Sequence, residues 1–270
     1  MPGAPDPLYV RARAGFLDAV EALGVHLESV VLVGAQAIYF HTGDADLTVA
    51  EYTTDADFTL SPGDLADAPL VDELLQARGF TPEGNPGRWI SPDGIYIDLM
   101  VPEALAGPGK RGARLGAHGK RAARRAKGLE GTLVDREKRR ITSLDPTDTR
   151  TATIWVAGPA ALLVAKIHKI AERADTQDRV RDKDALDVLR LLRAIGTEDL
   201  ANGLRTLTQS PLSAEVTAEA VELLGALFGE VDSQGVMMAV RAVGEAEDPA
   251  TITGSFTALA EDLLTEIGAR

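Results

Sequence analysis

The chain has 270 residues, a formal net charge of −13, an apolar share of 45% and only 4% aromatic residues. It contains no cysteine, which excludes disulfides, thiolate metal sites and a cysteine nucleophile. Its four histidines, His26, His41, His118 and His168, show no metal-ligand spacing, so any metal site must be built from carboxylates.

The N-terminal stretch has no apolar run of signal-peptide length. The longest apolar-rich run, 30–40, falls well short of the ~20 residues needed to cross a bilayer. A soluble cytoplasmic protein without a membrane partner is expected. In chain order, Phe16, Leu17, Val20 and Leu23 recur at helical spacing and predict a helix over 7–24. "VVLV" at 30–33 reads as a short buried strand, after which Gly34-Ala35 turns into a helix, "QAIYF". Residues 41–54 are polar and loop-like. "DADFTL" reads as a strand stopped by "SPGD". "LVDELLQARGF" is an amphipathic helix with Gly79 as its C-cap. "GRWIS" and "GIYIDLMVP" flank Pro92-Asp93-Gly94 and read as a hairpin. This alternation indicates an α/β or α+β layer structure, a mixed sheet with flanking helices.

Residues 103–150 are rich in Gly, Ala, Arg and Lys and read as an extended basic loop. "TATIWVA" returns as a strand, and from 158 onward the chain reads as helical. The expected organisation is an α/β domain over 1–150, carrying the basic loop, and a helical domain over 151–270 that closes the cleft.

The chemistry concentrates in "TTDADF". Residues two apart on a strand face the same way, so Asp55 and Asp57 project together, opposite Ala56 and Phe58. Parallel carboxylates raise each other's pKa unless a cation neutralises them. A divalent ion such as Mg²⁺ or Mn²⁺ does so, and Mg²⁺ needs only one or two carboxylates beside waters and substrate phosphates. In "IYIDLM", Asp98 interrupts another apolar strand and shares a face with Tyr96 and Met100. If the two strands pair, three carboxylates converge as a phosphoryl-transfer centre requires. The small residues Gly34 and Ala35, at a strand-to-helix turn, offer backbone N–H groups to a phosphate. The plain alternatives are a solvated acidic strand, an edge carboxylate and a turn that merely packs well.

"VLVGAQAIYFHTG", then "YTTDADFTL", then "IYIDLM" resembles the nucleotidyltransferase superfamily, whose signature is a strand, a Gly-Gly or Gly-Ser turn, DxD and a later strand Asp. The order is similar to the AbiEii/MenT-like branch, toxin-type nucleotidyltransferases of bacterial defence systems, which continue into a helix with a functional Lys and a further helix with two Asp. "LLVAKIHKIAER" and "RDKDALDVLRLL" stand in that order, and the resemblance covers roughly 30–195. It implies Asp55, Asp57 and Asp98 as metal ligands and catalytic groups, with Lys166, Asp184 and Asp187 completing the catalytic set. It implies Gly34, Ala35, Thr53, Lys169 and Arg173 as contacts to a nucleoside triphosphate. It further implies transfer of an NMP to an RNA, with tRNA the specific expectation, and an antitoxin partner. The sequence departs from the family at Ala35, where a second Gly or Ser is usual, and at Glu51, where many relatives have Arg.

On the helical half, Lys166, Lys169 and Arg173 form one stripe. Asp184 and Asp187 fall beside Val180, Val188 and Leu191, while Asp182, Lys183, Arg190 and Arg193 face away. A carboxylate on an apolar stripe needs a partner, for which Lys166 or Arg173 is placed. The pairing reads equally as an inter-helix salt bridge and as a triphosphate site. His168 is one position off this stripe and reads as a partly exposed surface residue.

Residues 110–140 carry twelve Lys and Arg against three Asp and Glu, a local +9, which leaves −22 on the rest of the chain. Lys110, Arg111, Arg114, Lys120, Arg121, Arg124, Arg125 and Lys127 are the candidate contacts to a polynucleotide backbone. The alternative is a solvated loop, or one docked on the acidic remainder. No aromatic residue interrupts the run, so base stacking there is not expected. Two rival functions stay open. One is a small-molecule, aminoglycoside-type nucleotidyltransferase. The other is a degenerate, non-catalytic nucleotide-binding protein, for which Ala35 and Glu51 are the supporting departures.

Overall fold

The computed structural model describes residues 5–43, 53–172 and 179–269. Glu51 and Arg173 lie outside the described residues. The architecture is mixed α/β, a sheet of parallel and antiparallel strands with flanking helices followed by a helical region.

Helix α1 (Pro7–Ala22) starts with Pro7 in its first turn, where a missing N–H costs nothing, and Asp6 accepts from Leu8 N at 2.7 Å. Strand β1 (Val30–Val33) runs straight into α2 (Gly34–Thr42), and β2 (Asp55–Leu60) returns antiparallel to β1. Helix α3 (Val71–Ala77) ends as expected at Gly79, with Gly79 N donating to Gln76 O and Phe80 N to Leu75 O. Strands β3 (Thr81–Pro82), β4 (Arg88–Ile90) and β5 (Tyr96–Pro102) follow, with β4 and β5 forming the expected hairpin.

The basic segment is not an extended loop. It contributes β6 (Arg124–Ala126), parallel to β5, and β7 (Arg136–Thr142), antiparallel to β8 (Thr151–Ala157). Between β5 and β6 the chain folds back on itself. Arg114 N donates to Ala106 O, Ala113 N to Ala123 O and Arg125 N to Arg111 O. Ala106, Ala113, Leu115, Ala122 and Ala123 are buried beneath this excursion. The scarcity of large apolar residues hid a core made of alanines, whose small side chains let backbones approach and bond. Strand β8 pairs with β1 as well as β7, so it belongs to the sheet and not to the helices that follow.

The sheet order is β3-β4-β5-β2-β1-β8-β7, with β6 beside β5. One face packs under α1, where the rings of Phe16 and Phe58 stack at 5.6 Å. Strand alternation therefore sends Asp55 and Asp57 to the other face. The helical region comprises α4 (Pro159–Ala171), α5 (Arg179–Ala194), α6 (Thr197–Gln209), α7 (Ala214–Phe228), α8 (Gln234–Val243) and α9 (Pro249–Glu266). The Asp135 carboxylate accepts from Ala161 N at 3.2 Å and anchors the start of α4 to the sheet. Helix α5 is enclosed between α2 and α4 on one side and α8 and α9 on the other. Among the described residues, no helix is long and apolar enough to cross a membrane.

Candidate active site

The parallel pairing of β2 with β5 sets Asp55 opposite Tyr96 and Asp57 opposite Asp98. On the far side of β5, Arg88 of β4 stands opposite Asp98. Across the sheet the row is thus Val33, Asp57, Asp98, Arg88. The three predicted carboxylates share one face and line one cleft of about 700 Å³, with Ala35, Lys166, Lys169, Asp184 and Asp187 from the helices opposite.

Gly34 has φ +69, a conformation that disfavours any side chain, and the Asp57 carboxylate fills the space a Cβ would take. Its contribution goes beyond the phosphate-facing turn expected from the sequence, because it admits Asp57 to the start of α2. Thr53, predicted as a nucleotide contact, is buried and donates from Oγ1 to Asp55 Oδ1 at 2.7 Å, so it orients that carboxylate. Arg13 and Gln36 were not anticipated. Gln36 Nε2 donates to Asp55 O at 3.0 Å, and Gln36 Oε1 accepts from buried Arg13 Nε at 2.9 Å. Arg13 also donates to Thr142 O and Tyr9 Oη, tying α1, α2, β2 and β7 together beneath the acidic strand. The available signal was position: Arg13 stands three and four residues before Phe16 and Leu17, on the apolar stripe of its helix.

Burial, reinforced by Asp55 and Asp98 and opposed by Lys169 and Arg124, pushes the Asp57 carboxyl from 3.8 up to about 7. Asp98 has Arg124 NH2 at 4.0 Å. Among the described residues, no group of three or more His, Cys, Asp or Glu side chains is placed to hold a metal ion, Asp55, Asp57 and Asp98 included. The Asp57–Asp98 pair instead fits the Mg²⁺ pattern of one or two carboxylates whose remaining positions go to water and substrate phosphate.

Lys166 is 5% exposed, and its Nζ lies 2.6 Å from both Asp184 Oδ1 and Asp187 Oδ2. Burial alone favours the neutral amine, but the two carboxylates outweigh it and hold the Lys166 pKa above the ordinary range. Burial likewise raises Asp184, and Lys166 and Lys169 reverse that to hold it below the usual carboxylate range. Lys169 Nζ approaches Asp184 Oδ1 at 3.1 Å. Asp187 Oδ1 is buried and takes no hydrogen bond within the described residues.

The outer face of α5 is not solvent-facing as its spacing implied. Asp182 is buried and bidentate to Arg241 of α8 at 2.8 Å for both bonds, and Arg193 pairs with Glu247 at 2.9 Å. Arg190 is buried with its guanidinium 5.2 Å from the Tyr39 ring, and Lys183 lines the cleft. Burial depresses the Lys183 ammonium, against the pull of Asp187. Asp182 and Arg193 are covered by α8 and α9, and Arg190 packs on α2, none of which a helix spacing can reveal. His168 is buried, and its Nε2 bonds Val216 O at 2.8 Å, joining α4 to α7. The cleft also gathers Arg88 and Tyr96, stacked at 4.2 Å, which no motif in the sequence singles out.

The basic run divides. Lys110, Arg111, Arg124 and Arg125 line a cavity beside the cleft. Lys127 lies on the other side of Arg124, paired with Glu219 at 2.5 Å. Lys110, Arg111, Arg114, Lys120 and Arg121 form no salt bridge within the described residues. Arg136, Lys138, Arg139 and Arg140 sit on β7, the opposite edge of the sheet, where Arg136 meets Asp64 and Lys138 meets Glu28. Cations on an edge strand discourage pairing with a further strand.

No protein-family model and no curated protein sequence matches the chain.

Proposed function

We propose that the protein is a nucleotidyltransferase moving an NMP from a nucleoside triphosphate to an acceptor hydroxyl, with RNA as the acceptor. The observation that carries this reading is the in-register pair Asp57–Asp98, beside Asp55, facing the start of α2 and the Lys166–Lys169 stripe across one cleft.

The acceptor oxygen attacks the α-phosphorus and forms the new ester, while the bond to the leaving pyrophosphate oxygen breaks. Asp98 stands to receive the hydroxyl proton, and Asp57 with Asp98 would hold Mg²⁺. When bound, that ion neutralises charge on the phosphates. The chain's own residues position and compensate. Ala35 at the helix start and Lys169 face the triphosphate. Thr53 and Gln36 hold Asp55 through its side chain and backbone. The Lys166–Asp184–Asp187 cluster fixes α5 against α4, so that the cationic wall stays in place. Little covalent chemistry is asked of the protein beyond this.

Arg88 and Arg124 on the Asp98 flank support a phosphate-bearing acceptor over a polycationic small molecule. A toxin role with an antitoxin partner follows from the resemblance alone, and growth arrest on expression of the wild-type chain but not of Asp57→Asn tests it. The reaction itself is tested by RNA-dependent pyrophosphate release with each NTP and Mg²⁺. Release that requires RNA supports the reading, and release without it points to hydrolysis.

A further inference from the structure

A cavity of about 370 Å³ opens beside the carboxylates, lined by Asn85, Pro86, Lys110, Arg111, Arg124 and Arg125. Four of these six are cations and none is acidic, in a chain of net charge −13. Lys110 and Arg111 are in no salt bridge within the described residues, and Asn85 adds an uncharged amide. The walls are built, not draped. Arg125 N bonds Arg111 O, Arg125 also donates to Gly109 O, and Gly112 pairs with Arg124. The turn carrying Asn85 and Pro86 is pinned by Gly87, whose N donates to Arg121 O and whose O accepts from Leu99 N. A Cβ on Gly87 would strike Leu99 O and Arg124 N, so the floor tolerates only glycine there.

Arg124 belongs to both this cavity and the acidic cleft, and it stands 4.0 Å from Asp98. Strand order places the cavity on the β4/β6 flank of Asp98, with β1 and the start of α2 on the other flank. In-line displacement puts the entering and leaving oxygens on opposite sides of the phosphorus. With the triphosphate toward α2, the acceptor enters over Asp98, from the side of the cationic cavity.

We propose that this cavity seats a phosphodiester of the acceptor, close along the chain to the hydroxyl that reacts. It rests on the nucleotidyltransfer reading for which hydroxyl is meant, but not for the binding of the phosphate. Guanidinium forks match phosphate oxygens in pairs, and an ammonium adds a point charge. The acceptor is then a polynucleotide end recognised by its backbone, and a neutral or cationic acceptor leaves Lys110 and Arg111 without a counter-charge, whereas Arg125 already has Glu103 at 3.2 Å and Arg124 has Asp98 at 4.0 Å.

The test uses the full chain and a short oligoribonucleotide ending in a 3′-hydroxyl, with either natural linkages or a neutral methylphosphonate at its last linkages. Binding is read by fluorescence anisotropy without NTP, and transfer is read separately. The wild type is expected to bind the natural strand about tenfold or more tighter than the neutral one. Lys110→Ala/Arg111→Ala is expected to bind both equally, at the weaker value, and to keep wild-type affinity for Mg²⁺·NTP. A neutral linkage that costs the wild type and the variant the same overturns the proposal. So does a variant that loses NTP affinity while keeping the strand, which would make the cavity a triphosphate site. Linkage-dependent binding without any transfer upholds the cavity and defeats the nucleotidyltransfer reading. Transfer without linkage dependence does the reverse.

Discussion

The carboxylate of Asp57 occupies the space that a Cβ on Gly34 would need. Ala35 beside it is small as well, but among the described residues Gly34 is the one that combines a left-handed backbone with a close approach to Asp57. Gly34→Ala should therefore lose about 1–2 kcal/mol from backbone strain and also displace Asp57. Gly84→Ala is the control, since Gly84 has φ +62 and open space around it. Both variants are expected to lower the unfolding midpoint in urea, and only Gly34→Ala should lose transfer activity.

Asp57 makes stability depend on pH. Its folded pKa of about 7 stands above the ordinary 3.8, so the folded state holds the proton more tightly than the unfolded chain does. Stability from this group is fully present below pH 3.8 and is lost as pH rises through about 7. Asp57→Asn removes that slope. The melting temperature of the variant relative to wild type should rise from about pH 5 to about pH 8. Added Mg²⁺ should narrow the gap at the higher pH by stabilising only the wild type, because a cation satisfies the ionised carboxylate.

Lys166 balances two buried carboxylates at 2.6 Å each. Removing one member of such a cluster leaves uncompensated charge, so Lys166→Met should cost about 3–5 kcal/mol. Lys166→Met/Asp184→Asn/Asp187→Asn, which removes the stranded charges, should recover a large part of it. Urea unfolding measures both. A loss in the single variant under about 1 kcal/mol would mean that the cluster relaxes or takes up solvent.

Much of this was legible in the sequence because period-two alternation fixes faces. Asp55, Asp57 and Asp98 were readable as a set, and parallel pairing of β2 with β5 brings Asp57 and Asp98 into one row, with Asp55 two residues along on the same face. Helical spacing likewise brought Lys166 to Asp184 and Asp187. The failures share a cause, which is that local pattern carries no information about what covers an element from outside. His168 and Asp182 looked exposed on their own helices and are buried against α7 and α8, while Arg190 is buried with its guanidinium on Tyr39 of α2. The segment 103–150 looked coreless because its core is alanine and backbone bonding, and because β7 finds its partner β8 only after the segment ends.

The division of the basic run gives a further expectation. Lys138, Arg139 and Arg140 lie on β7, at the sheet edge far from β5 and β6. Replacing all three by Ala should leave oligonucleotide affinity and its salt dependence near wild type. Arg111→Ala/Arg121→Ala should lower the slope of log affinity against log salt by about 0.7 for each single-strand phosphate that is no longer neutralised. Titrations at several salt concentrations separate the two sets, and equal effects in both would mean that the whole run acts as one diffuse field.

The central claim is that the Asp57–Asp98 pair supports nucleotidyl transfer to RNA. Its most direct measurement is incubation of the protein with each of the four NTPs labelled at the α-phosphate, Mg²⁺ and total RNA, followed by gel separation of the RNA. The account predicts that label from at least one NTP appears covalently on RNA with the wild type, and that Asp57→Asn gives none while remaining folded. Unlabelled RNA with all four NTPs, or equal labelling by wild type and Asp57→Asn, would contradict it.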